Sequence, residues 1–210
     1  MTVCVKICGI TRLEDALAAA DAGADLIGLN FWPGSPRHLP IDRACPIADA
    51  VRGRLVIVPV FVDAARDEVL RTAGTLGTDT VQLHGSESAE FVRSLPGLRV
   101  IKAVRVAGEA DVELMAGFPA SIFLLDARVD GKPGGTGRTI DWALARRAAC
   151  HGPILLAGGL TPDNVGDAVR IAQPWGVDTA GGVETAPGLK DRRKIELFVR
   201  NAKSAGEGMM

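Results

Sequence analysis

The chain has 210 residues, 24 Lys+Arg against 25 Asp+Glu, and a formal net charge of −1. That balance provides neither the basic footprint of a nucleic-acid binder nor a polybasic patch for an acidic membrane surface. With 47% hydrophobic and 23% charged residues but no Tyr and 4% aromatics, the composition is that of a globular protein whose core is built from Val, Ile, Leu and Ala.

Short apolar runs alternate with longer amphipathic segments. Strands are predicted at 2–8, 24–31, 54–62 and 78–84, then at 98–105, 120–126, 152–157 and 175–180. Helical patterns fill the gaps, clearest at 12–22, 86–95 and 139–150, and a last helix covers 188–203. Eight β-then-α units imply parallel strands with right-handed crossovers, closing into a (β/α)8 TIM barrel. The rival, an open doubly wound sheet, usually carries GxGxxG after its first strand, and here Gly9-Ile10-Thr11 stands there instead. Residues 1–203 are expected to form this one barrel domain and 204–210 a frayed polar tail.

Four cysteines in a chain of this length do not suggest a disulfide framework, and Cys4-x3-Cys8 has no second pair or nearby His to complete a metal site. The N-terminus lacks the basic and apolar regions of a signal peptide. No apolar run approaches the roughly 20 residues that span a bilayer. A cytoplasmic protein with reduced thiols is expected. The outer helix faces of a barrel can be exposed or paired, so the oligomeric state, monomer or homodimer, stays open.

Alternation within the strands places the polar residues. In strand 1, Val3, Val5 and Ile7 form one apolar face, to lie under the helices, while Cys4, Lys6 and Cys8 form the other. This puts Cys8 inside at the C-terminal rim, where barrels of this class do their chemistry. Asp126 ends strand 6 at the matching position, Gln82 and His84 share one face of strand 4, and Asp178 lies near the end of strand 8. The plainer readings are a small core-filling cysteine, turn-capping Asp and His residues, and Lys6 and Lys102 as paired interior charges. The 190–194 run, KDRRK, reads as a solvated face opening the last helix.

Two glycine segments are more specific. Gly158-Gly159-Leu160-Thr161-Pro162 follows strand 7, with Thr161 placed to cap a helix and Pro162 in its first turn. Gly181-Gly182-Val183-Glu184 follows strand 8. Loops after strands 7 and 8 form the recurrent phosphate site of this fold, where backbone N–H groups meet the anion. Gly134-Gly135-Thr136-Gly137 is no P-loop, because no Gly-Lys-Ser/Thr follows.

Taken together, VKICGIT (5–11), FWPGSPR (31–37), VQLHG (81–85), LLD (124–126), GGTG with IDW (134–142), GGLTPDNV (158–165) and GVDTAGGVE (176–184) resemble the phosphoribosylanthranilate isomerase family, in order and over nearly the whole chain. The resemblance implies an Amadori rearrangement of a phosphosugar, N-(5′-phosphoribosyl)anthranilate, to 1-(o-carboxyphenylamino)-1-deoxyribulose 5-phosphate in tryptophan biosynthesis, with no metal and no cofactor. It makes Cys8 the general base and Asp126 the general acid, puts Arg37 on the anthranilate carboxylate, and places His84 and Asp178 near the ribose. The family commonly reads Asp-x-Ser-Ser-Gly-Val-Glu after strand 8, whereas here Thr179-Ala180-Gly181-Gly182 follows Asp178, so two hydroxyls are gone and backbone donors remain. Alternatives are a Schiff-base aldolase using Lys6 or Lys102, a bifunctional sugar-phosphate isomerase that also serves histidine biosynthesis, against which Cys8 argues, and a catalytically silent phosphosugar-binding barrel.

Overall fold

The structure, a computed structural model, describes residues 3–127 and 141–208. Eight parallel strands close on one another in sequence order, the eighth pairing with the first. They are β1 (Cys4–Cys8), β2 (Leu26–Asn30), β3 (Val56–Phe61), β4 (Thr80–Leu83), β5 (Arg99–Val106), β6 (Ile122–Ala127), β7 (Ile154–Leu156) and β8 (Gly176–Thr179). Between them run α1 (Leu13–Asp21), α2 (Ile41–Ala50), α3 (Arg66–Leu76), α4 (Ala89–Arg93), α5 (Glu109–Glu113), α6 (Trp142–Ala148) and α7 (Val165–Ala172). The predicted TIM barrel is therefore observed. Six of the eight predicted strands overrun the observed ones, whereas β5 and β6 start later than predicted and run one residue further, to Val106 and Ala127.

Two cores follow from strand alternation. Inside the barrel, Leu26, Val58, Ile101, Ala103, Leu124 and Leu155 pack together with Cys4 against them. Outside, Val5, Ile7, Leu125, Leu156 and Val177 pack beneath the helices. The interior is small because it is aliphatic, and near its top it turns polar: Lys6 has no solvent exposure and its Nζ lies 2.7 Å from Asp178 Oδ1 on the neighbouring strand.

Three expectations need correction. Lys102 is not an interior charge. Its neighbours Ile101 and Ala103 face the barrel axis, so Lys102 points outward, with Nζ 2.8 Å from Glu87 Oε2 and donating to the Gly85 carbonyl. Both faces of strand 5 are largely apolar, which hid this parity in the sequence. The last helix, α8, begins at Arg192 rather than 188, because Glu184–Ala186 (β9) and Leu189–Lys190 (β10) first form a small antiparallel hairpin. Asp191 caps α8 by accepting from Lys194 N–H, and Lys190, expected on a solvated face, is buried. Finally, α8 runs to Glu207, with Ala205 and Gly206 buried and Gly206 packed against Val3, so the tail expected to fray from 204 is helical at its start. The Gly134–Gly137 segment lies outside the described residues.

Removing one partner of a fully desolvated ion pair leaves a buried charge. Lys6→Met should therefore destabilise the fold by about 3–5 kcal/mol, read from urea unfolding. Lys6→Met combined with Asp178→Leu should recover much of that loss. Equal or greater destabilisation in the double variant would show that the pair's charge is not what matters.

Candidate active site

The predicted residues converge on the carbonyl end of the barrel. Cys8 ends β1, and the space over Gly28 of β2 explains how its thiol meets Lys6. A methyl group on Gly28 would stand 2.6 Å from Cys8 Sγ and 3.1 Å from Lys6 Nζ, so only glycine leaves both atoms room. Burial raises the Cys8 pKa above its ordinary value, and the Lys6 ammonium works against that rise. Burial alone would depress Lys6, but the Asp178 carboxylate and the Cys8 sulfur together outweigh it and hold the amine protonated. A protonated, ion-paired amine is no Schiff-base nucleophile, and Lys102 lies on the wrong face. Cys4, at the other end of β1, is pushed up to about 12 by burial and by Asp25, which marks it as an inert structural thiol.

Arg37, on the segment between β2 and α2, makes a two-pronged contact with Glu184: Nε to Oε1 at 2.8 Å and Nη2 to Oε2 at 2.6 Å. Lys190 approaches the same carboxylate, 2.8 Å from Oε1, and also donates to the Cys8 and Ala180 carbonyls at 2.6 and 3.1 Å. Those three bonds use all three ammonium hydrogens. Lys190 thus ties the end of β1 to the loop after β8 and holds no donor for a ligand. Burial would raise Glu184, yet Arg37 and Lys190 keep its carboxyl below the ordinary range. One carboxylate between two cations leaves a surplus positive charge, and Arg37 Nη2 stands 3.7 Å from where a side chain on Gly181 would begin. With Nε and Nη2 of Arg37 engaged by Glu184, its Nη1 side is the edge that remains open. Sequence reasoning missed Glu184 and Lys190 as site residues, since the contacts depend on the β9–β10 hairpin.

The two glycine loops touch. A side chain on Gly182 would collide with the Leu160 carbonyl oxygen, and Thr179 Oγ1 donates to that same oxygen at 2.8 Å. Gly158 and Gly159 sit at φ +80° and +65°, and among the described residues their amide N–H groups donate to no carbonyl. Thr161 does not cap α7 through its side chain. Its N–H donates to Asn164 Oδ1 at 2.8 Å, Asn164 Nδ2 reaches back to the Gly159 carbonyl, and the helix starts at Val165. The turn at Thr161–Asn164 thus fixes the loop instead.

On the opposite wall, His84 Nε2 lies 3.9 Å from Asp126 Oδ2. Burial, reinforced by Lys6, Arg105 and Lys102, lowers the His84 pKa to about 4, so the imidazole is neutral. The inward end of β5 places Arg105 in register with Asp126. A cavity of about 400 Å³ adjoins them, lined by His84, Arg105, Leu114, Phe118 and Phe123 among others. Two sets therefore emerge: Cys8 with Lys6 and Asp178, and Asp126 with His84.

Residues 5–201 match the family model for N-(5′phosphoribosyl)anthranilate isomerase. The chain belongs to that family. The N-(5′-phosphoribosyl)anthranilate isomerase of Magnetococcus marinus is 45% identical over 208 residues, 99% of either chain. A crystal structure of phosphoribosyl anthranilate isomerase from Thermotoga maritima superposes with a TM-score of 0.91 at 39% identity, covering 96% of this chain and 99% of its own. Another, of the isomerase in complex with reduced 1-(o-carboxyphenylamino)-1-deoxyribulose 5-phosphate, gives 0.87 at 37% identity, with 96% and 99% covered. Among the described residues no helix is long and apolar enough to cross a membrane.

A folded-state pKa below the ordinary value means that the unfolded chain binds a proton which the folded protein refuses. For His84, stability should fall as pH drops from about 6.5 to about 4. His84→Asn should flatten the slope of unfolding free energy against pH in that window, and an unchanged slope would contradict the neutral, desolvated imidazole.

Proposed function

We propose that this barrel isomerises N-(5′-phosphoribosyl)anthranilate to 1-(o-carboxyphenylamino)-1-deoxyribulose 5-phosphate, a step of tryptophan biosynthesis. The observation that carries this reading is the pairing, on one rim, of a thiol beside an ammonium group with a carboxyl group beside a neutral imidazole. An aldose-to-ketose rearrangement of an amino sugar requires one group to give a proton and another to take one, and both must face the sugar.

In the first step the acid, Asp126, protonates the furanose oxygen. The C1′–O bond breaks while the nitrogen lone pair forms an iminium bond to C1′. In the second step the base, Cys8 as thiolate, takes the proton from C2′, and the C–H electron pair becomes the C1′–C2′ double bond of an enolamine. Loss of the O2′ proton and protonation of C1′ then give the ketone. Burial favours the resting thiol, and Lys6 at the same spot supplies the positive charge that makes the thiolate accessible. The substrate phosphate is assigned to the gap between Gly158-Gly159 and Gly181-Gly182, where unengaged amides meet the excess positive charge behind Glu184. Arg37, through its Nη1 side, is assigned to the anthranilate carboxylate, and Asp178 and His84 to the neighbourhood of the ribose.

Cys8→Ala and Asp126→Asn should each lower kcat by about 10²–10⁴-fold or more, the scale of a lost positioned acid or base. The decay of substrate fluorescence in a purified, metal-free preparation reads this directly. Near-normal turnover in either variant removes that residue from the chemistry, and absence of turnover in the unmodified protein removes the reaction. Arg37→Ala should raise KM more than it lowers kcat, because a charge-assisted contact to an unreactive carboxylate exists in ground and transition states alike. A fall confined to kcat would move Arg37 into the proton transfers.

A further inference from the structure

Gln82 lies inside the barrel two residues before His84 on the same strand face, and it is 1% exposed. Its Nε2 stands 2.9 Å from His84 Nδ1, while its Oε1 is buried with no hydrogen-bond partner. The two orientations of this amide give opposite imidazole tautomers. With Nε2 donating, His84 Nδ1 is the acceptor and the ring proton sits on Nε2, facing Asp126 Oδ2 at 3.9 Å. With Oε1 facing Nδ1, the proton moves to Nδ1 and the Nε2 lone pair faces Asp126; the amide then leaves both N–H groups unpaired, where the first orientation leaves one N–H and the carbonyl oxygen. The number of unpaired amide groups is the same in the two, but a ring lone pair set against the carboxylate that Asp126 becomes on giving up its proton is repulsive, whereas a ring N–H there is attractive. That difference favours the first orientation. The His84 main chain at this point is anchored to β3, its N–H donating to the Phe61 carbonyl at 2.8 Å.

We propose that Gln82 is a positioning residue for the acid: it fixes His84 as the Nε2–H tautomer and so aims a neutral hydrogen-bond donor at Asp126. This rests on the reading of Asp126 as the proton donor. A donor at that spot stabilises the carboxylate that remains after Asp126 has given up its proton, and so favours the transfer. The charged groups that act on the imidazole are Lys6 from β1, Arg105 from β5 and Asp126 from β6, with Lys102 on the outer face of β5 adding a weaker positive influence. The three cations oppose protonation of the ring, so it acts as a neutral donor throughout. The 3.9 Å separation is of the kind that closes when a ligand fills the rim.

The test is 15N NMR of the intact protein, labelled at histidine, with His84 assigned by the signal lost in His84→Asn. There are three histidines in the chain, so the spectrum is simple. At neutral pH the wild-type His84 should show a protonated Nε2 and an unprotonated Nδ1. In Gln82→Glu, an acceptor of the same shape, the proton should move to Nδ1. Gln82→Glu and Gln82→Met should both lower kcat by about 10-fold or more, the scale felt when the partner that orients a functional imidazole is lost, with KM changed less than kcat. A wild-type ring protonated at Nδ1 overturns the proposal, even if neither variant folds. So does a tautomer change in Gln82→Glu that leaves kcat intact. Failure of the underlying acid assignment is distinct: Asp126→Asn would then retain turnover, whatever the tautomer.

Discussion

Lys6 and Asp178 face each other across adjacent strands, 2.7 Å apart, at a level of the barrel where no water reaches the amine. Desolvating an ammonium group and a carboxylate costs several kcal/mol each, and their attraction offsets this only when geometry is close and the other hydrogen-bonding positions are filled. Much of the rim follows from that constraint. The small residue at Gly28 admits both Lys6 Nζ and Cys8 Sγ to one space. The charge on Lys6 is then fixed, and it acts on the thiol above it and against protonation of His84 across the barrel. The pair is thus less a source of stability than a device for keeping one positive charge in a dry place.

The second device is Glu184. It gathers Arg37 and Lys190 and accepts from the Gly188 N–H, so that the hairpin, the loop after β8 and the segment after β2 are held together by one carboxylate. Lys190 extends the tie to the Cys8 carbonyl. The loop after β8, with Ala180 and Gly181 in place of hydroxyl-bearing residues, is therefore braced from behind by charge. Its contact with the loop after β7 is close enough that Gly182 admits no side chain. Such a rigid, donor-rich cleft with surplus positive charge is suited to a phosphate held largely by main-chain groups.

Much of this was legible in the sequence. The alternation of β1 placed Cys8 and Lys6 inward, and the glycines after β7 and β8 marked the loops that meet. Parity failed at Lys102, where apolar residues on both faces of β5 gave no sign of which side was core. It also could not pair Lys6 with Asp178 rather than with Lys102, because register between strands distant in sequence leaves no local signal. The β9–β10 hairpin was hidden beneath a run of charges that reads as a helix start, and with it went the burial of Lys190 and the grip of Glu184 on Arg37. The Asn164 carboxamide, not the Thr161 hydroxyl, organises the turn before α7, a choice between two good capping residues that composition does not make.

The most direct measurement is a crystal structure of this protein with reduced 1-(o-carboxyphenylamino)-1-deoxyribulose 5-phosphate bound. The phosphate should lie between Gly158-Gly159 and Gly181-Gly182, held mainly by backbone N–H groups, with C2′ facing Cys8 Sγ and the anthranilate carboxylate on the Nη1 side of Arg37. A phosphate bound on the far wall beside Arg105, or a sugar carbon chain that passes neither Cys8 nor Asp126, would contradict the division of the rim into an anion cleft and two proton-transfer groups.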